Sequence, residues 1–216
     1  MSFRATTLKR SQLVGFFLVL TGLTAWSQVA NTPLKFADVG AITSTLVQAS
    51  SLGESSGGSS DDSKWLKVEF HFSITKDAGP YVDEADFKIW IEGRDLLDPQ
   101  GKPNEGVAVA LTGSVAYINI AQGKDVYGVF YVHPSTLKRY CKQGSTDFER
   151  TFNVHMEASV GGKVVDVYDK KKEQDPNWYQ PLKPVPGLVY RQNQCVFVVT
   201  DPSRYPAIKL PADSNN

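Results

Sequence analysis

The sequence predicts an all-β protein, an antiparallel β-sandwich of roughly nine strands with one short helix. Three observations carry that expectation. Lys64 to Lys76, KWLKVEFHFSITK, alternates Leu66, Val68, Phe70, Phe72 and Ile74 with Lys67, Glu69, His71 and Ser73 without a break. A period of two turns one set toward a core and the other away from it, whereas a helix would scatter the five apolar residues around its circumference. Gly161-Gly162 lies between two further alternating runs, as a two-residue hairpin turn requires. The strand-helix-strand alternation that builds a parallel sheet is missing from the pattern.

Taken in order, the chain starts with the pattern of an export signal. Arg4, Lys9 and Arg10 precede the apolar run Leu13 to Leu20 and the small-residue site Ala25-Trp26-Ser27, which places cleavage after Ser27 and makes residues 1–27 a signal peptide. The apolar run is shorter than the roughly 20 residues that span a bilayer. The expected locations are therefore the periplasm, the outer-membrane surface or the medium. Residues 28–63 form an N-terminal segment with a short strand around Leu34 to Val39, followed by the linker QASSLGESSGGSSDDS. That linker has too little apolar surface to offset its ordering entropy, which predicts flexibility. A segment ahead of such a tether either docks back as an edge strand or reaches for a partner, and the sequence leaves both open. The sandwich is expected over 64–211, with a disordered tail at 212–216.

Within the sandwich, Asp86 to Glu92 sets Phe87, Ile89 and Ile91 on one face and Lys88 and Trp90 on the other. Asp95 to Gly106 is rich in turn formers. Val107 to Leu111 and Val115 to Ile120 flank Thr112-Gly113, either as a hairpin or as one bent strand with a glycine bulge. Val126 to Val132 reads as a strand, and His133-Pro134 followed by Ser135 to Cys141 as one or two helical turns. Phe148 to Val160 and Lys163 to Tyr168 make the Gly-Gly hairpin. Its simplest register sets Met156 and Ala158 with Val165 and Val167, and opposes Glu157 to Asp166. Asp175 to Gly187, with four prolines, reads as a stiffened loop, and the last strands are expected at Leu188 to Arg191, Cys195 to Thr200 and Ala207 to Leu210.

Charge and motif content narrow the function. Without residues 1–27 the chain keeps 20 Lys plus Arg against 23 Asp plus Glu, a net of about −3. The basic run Lys170-Lys171-Lys172 is flanked by Asp169, Glu173 and Asp175, so the concentrated cationic face of a nucleic-acid binder is lacking. His71, His133 and His155 lack the spacing of a zinc site. No G-x-S-x-G presents a nucleophile, Gly161-Gly162-Lys163 lacks the rest of a phosphate loop, and no pair among the 23 acids stands out as hydrolytic. The expectation is a non-enzymatic protein with no catalytic residue, metal or cofactor. Cys141 and Cys195 fall in the exported part, where a disulfide would persist and, closing about 55 residues, would contribute roughly 4 kcal/mol. Two buried free thiols are the alternative, because spacing does not fix their separation.

The candidate binding surface is aromatic. Trp178 and Tyr179 lie in the proline-rich stretch and Tyr190 soon after. On sandwich loops such rings stack on sugars, giving a glycan-binding surface module, or fill pockets on other proteins, unless Trp178 simply closes the open end of the core. An unblunted sheet edge offers strand addition as a second route to a protein partner.

With KWLKVEFHFSI at its start and CVFVVTDPSRYPAIKL at its end, the span Lys64 to Leu210 resembles the small exported immunoglobulin-like proteins associated with type IV pilus gene clusters in Akkermansia-type Verrucomicrobia. The resemblance implies an immunoglobulin-like sandwich that works through protein-protein contacts with pilus or envelope proteins, without a cofactor. Trp90 precedes both cysteines, unlike the antibody arrangement. Gly15-Phe16-Phe17-Leu18-Val19-Leu20 imitates a prepilin site but has Leu20 where a pilin has Glu, which points to an accessory role rather than a major subunit.

Overall fold

The computed structural model describes residues 32–38, 41–48, 64–97, 100–141, 153–169, 175, 177–198 and 203–210. The expected signal peptide, the linker beyond Gln48, the basic run 170–172 and the tail fall outside them. Contacts divide the chain into Met1–Ala30 and Asn31–Asn216, and every described residue belongs to the second unit.

The described residues form a β-sandwich. One sheet contains β1 (Leu34–Phe36), β2 (Ile42–Gln48), β3 (Lys64–Ile74), β6 (Gly123–Val132) and β10 (Val189–Arg191). The other contains β4 (Tyr81–Leu97), β5 (Pro103–Ala121), β7 (Val154–Val160), β8 (Lys163–Asp169), β9 (Lys183–Pro186) and β11 (Ala207–Ile208). Helix α1 (Pro134–Tyr140) follows β6 and starts as expected, with Pro134 in its first turn and the His133 ring nitrogen accepting from the Ser135 amide. Eleven strands are described where roughly nine were expected.

β3 supports the first sheet. Leu66, Val68, Phe70 and Phe72 are fully buried and Ile74 nearly so, while Lys67, Glu69, His71 and Ser73 are half-buried on the opposite face. Phe70, Phe72, Phe87, Tyr117 and Phe130 meet between the sheets with ring centroids 4.7–6.3 Å apart. Burying each such side chain contributes about 1.5–3 kcal/mol. The cluster requires Gly128 opposite Phe70, because a Cβ there would come within 2.1 Å of the Phe70 ring.

The segment ahead of the linker docks back. β2 pairs with β3 along Lys64 to Phe70 and β1 along Phe72 to Ile74, so the two lie end to end on one edge of β3. Leu34, Phe36 and Ala41 join the main core.

Several local expectations are corrected. Of the two readings of Thr112-Gly113 the single strand holds and the hairpin turn does not: β5 runs through it, paired with β4 and without a bulge at the glycine. Glycine is needed there because β10 crosses, with Val189 atoms 2.8–3.0 Å from where a Cβ would sit. Within Asp95 to Gly106 the strands extend further than the turn formers suggest, to Leu97 and from Pro103. The prolines of KPVP do not keep it out of a sheet, since β9 pairs in parallel with Val109 to Thr112 at the margin of the second sheet. Cys195 to Val198 is not strand but turn, because Phe197 folds over the outside of the first sheet and stacks on Tyr131 at 4.6 Å.

The Gly-Gly hairpin forms, with Gly161 and Gly162 both at positive φ. Its register shifts between Ala158 and Ser159, because Val165 is an extra residue in β8. Glu157 therefore faces Val167 rather than Asp166, which removes the expected like-charge pair, and Asp166 accepts the Phe36 amide at 2.7 Å. That bond ties β8 to β1 and closes one side of the sandwich.

Candidate binding surface

The outside of the second sheet is organised by one row of register partners. Pro186 of β9 faces Thr112 of β5, Thr112 faces Trp90 of β4, Trp90 faces His155 of β7, and His155 faces Asp169 of β8. The Val165 bulge sets the last step, since without it Asp169 would not stand opposite His155. One strand position along, Ser114, Lys88, Glu157 and Val167 form a second row.

The loop at 177–182 covers half of this face. The side chains of His155 and Asp169 are each only 4% exposed, with Nδ1 of the ring 2.8 Å from Oδ2 of the carboxylate. Trp178 Nε1–H donates to both Asp169 oxygens at 3.0 and 3.1 Å, and the Tyr179 ring stacks on His155 at 3.6 Å. His155 Nε2 lies 3.6 Å from Glu157 Oε1, too far for a hydrogen bond, while the Tyr179 hydroxyl reaches that same oxygen at 3.5 Å. Imidazole and carboxylate thus pair beneath an aromatic cover. No serine, threonine or cysteine among the described residues bonds the ring, and no described group of three ligands is placed to hold a metal.

The other half is open. Lys88, Trp90, Thr112, Ser114, Arg191 and Gln194 line a cleft of about 440 Å³, rimmed by Pro184 and Pro186. Arg191 is held there by donating from Nε to the Ser114 carbonyl at 2.8 Å.

The aromatic candidates separate accordingly. Trp178 is 6% exposed and offers no free ring face, and it neither stacks outward nor belongs to the main core. Tyr179 is half-buried on His155. Tyr190 lies away from both, in β10 opposite Tyr131, with its ring 6.0 Å from Trp65 on the outside of the first sheet. Sequence reasoning placed Lys88 and Trp90 on one face of their strand but could not say which strands would lie beside it.

The outside of the first sheet is covered by the C-terminal segment. Glu69 accepts from Lys67 Nζ, Arg204 Nη2 and the Tyr205 hydroxyl, each at 2.7 Å. Burial raises its pKa, but these three bonds outweigh burial and hold the carboxyl below its ordinary range. Burial and the contact with Glu69 push the Tyr205 phenol well up.

The expected Cys141–Cys195 disulfide is absent; both thiols are free. Cys141 lies in the core between the sheets, whereas Cys195 packs with Trp65, Tyr131 and Phe197 outside the first sheet, so β3 and β6 stand between them. Burial pushes the Cys141 thiol up to about 12 and raises that of Cys195.

Among the described residues these features make up a β-sandwich of two sheets with one short α-helix. A family model matches residues 36–211, and the chain belongs to the family it describes. A crystal structure of a protein from Akkermansia muciniphila is similar in fold, with a TM-score of 0.58 and 19% identity, covering 82% of this chain and 93% of that one. No curated protein matches the chain.

Proposed function

We propose that the protein is a non-enzymatic exported module that takes part in a type IV pilus-like or other cell-surface assembly through protein-protein contacts, its β2 edge accepting a strand from a partner. The observation that carries this reading is the character of that edge. β2, ITSTLVQ, has no charge and no proline, exposes Thr43, Thr45 and Gln48, and pairs with β3 on one side. Among the described residues no strand pairs with its other side. Soluble proteins usually blunt such edges with lysine, proline or a bulge, and an unblunted edge is a template for strand addition. The leader pattern of residues 1–27 supports export, and the resemblance to pilus-cluster proteins supports the kind of assembly.

A photo-crosslinking residue at Thr45 tests it in cell envelopes. An envelope or pilus protein captured there, and lost in the Thr43→Lys, Thr45→Lys double variant, is the expected result. No captured protein, or capture unchanged by the two lysines, would sink the proposal.

A further inference from the structure

From the open half of the second sheet we infer that the cleft at Lys88, Trp90, Thr112, Ser114 and Arg191 binds an anionic carbohydrate. The inference stands apart from the assembly proposal, since β2 belongs to the other sheet and either idea can fail alone.

Size, charge and lining agree. About 440 Å³ is within the range of small-ligand sites. Lys88 and Arg191 are the charged residues of the lining and both are cationic, with no Asp or Glu among the lining residues. The nearest acid in register, Glu157 opposite Lys88, is reached by the Tyr179 hydroxyl on the covered half. Arg191 spends one donor on the Ser114 carbonyl, which fixes the guanidinium at the rim and leaves four of its five N–H groups. A carboxylate or sulfate ester is the group such a pair of cations recognises.

Trp90 indicates a sugar rather than another anion. Its ring is half-buried and held from the covered side by His155 at 5.3 Å and Tyr179 at 5.1 Å, so it enters the cleft already positioned. An indole supplies apolar surface for the C–H face of a sugar ring. Thr112, Ser114 and Gln194 add hydroxyl and amide groups that match sugar hydroxyls. An extended acidic peptide is the poorer fit, because Pro184 and Pro186 deprive this margin of amide donors for strand addition.

The test is calorimetric titration of the full chain with a hyaluronan tetrasaccharide (carboxylate), a chondroitin sulfate tetrasaccharide (carboxylate and sulfate), neutral chitotetraose and a hexaglutamate peptide. Binding of either anionic sugar at least tenfold tighter than chitotetraose supports the inference. Equal binding of the two makes the carboxylate sufficient, and binding of the chondroitin fragment alone assigns the sulfate. Lys88→Gln, at an exposed position, should leave the melting temperature unchanged and weaken binding at least fivefold. Titration should also shift the indole N–H resonance of Trp90, assigned with Trp90→Phe. No sugar binding, chitotetraose or hexaglutamate binding as tight as the anionic sugars, or Lys88→Gln binding at the parent affinity would each overturn it.

Discussion

Gly128 and Phe70 show how tightly a single position can be specified. The ring occupies the space a side chain would need, so Gly128→Ala must displace Phe70 from a five-ring cluster in which it touches every other member. Overpacking of this kind costs about 3 kcal/mol, which chemical denaturation of the variant would measure as a lower midpoint with little change in slope. Glu69 sets a pH dependence. Its folded pKa is depressed, so the ionised carboxylate contributes fully above its ordinary value near 4.5 and the contribution is lost as pH falls through the lowered folded value. Glu69→Gln should lower the melting temperature at pH 7 and flatten its fall between pH 5 and 3. The thiols give a third expectation. With both cysteines free and protonated at neutral pH, non-reducing peptide maps should recover Cys141 and Cys195 unpaired, and reductant should leave the melting temperature unchanged.

At the scale of elements, the Val165 bulge decides the most with the least sequence. It turns Glu157 away from Asp166, sends Asp166 to the β1 amide and brings Asp169 to His155. Deleting Val165 removes the bulge but keeps Asp166 opposite Ala158 and Asp169 opposite His155, so Trp178 should keep its bond to Asp169, whereas Asp169→Ala should lose it. The loss would appear as increased solvent exposure of Trp178, seen as a red shift in fluorescence against a Trp178→Phe reference. Alternation made β3, β4, β6 and the hairpin legible, because burial of one face imposes a period that local residues carry. The bulge was not legible: both registers satisfy the Gly-Gly turn, and the choice depends on what Asp166 and Asp169 meet from β1 and the 177–182 loop. β9 was missed for a related reason. Its prolines argue against a strand until β5 supplies a margin with solvent on the other side. The cleft was half legible, since Lys88 and Trp90 share a face in the sequence, whereas their neighbours Thr112 and Ser114 depend on how β5 pairs.

For the molecule as a whole, the sandwich needs the residues ahead of its linker. Leu34 and Ala41 are fully buried and Phe36 nearly so, and Ile42 and Leu46 pack against the same core. A chain starting at Lys64 would lose about 3–6 kcal/mol from Leu34 and Phe36 alone, a large share of an ordinary domain's net stability. Such a truncation should bind hydrophobic dye and melt far below the full chain. The same margin of β3 that makes β1 and β2 structural leaves the outer side of β2 open, so support of the core and offer of an edge fall to one short segment.

The placement of the outermost strands also has a mechanical side. β1, near the beginning of the described chain, is held to β3 over three residue pairs, and β11, near its end, to β5 over two. The inner pairs β3–β6 and β4–β5 are several times longer. Tension applied between the chain ends would reach the short marginal ladders first. Under load the chain would then yield by shedding its borders, while the aromatic centre between the sheets stays closed and can take them back when the force is released.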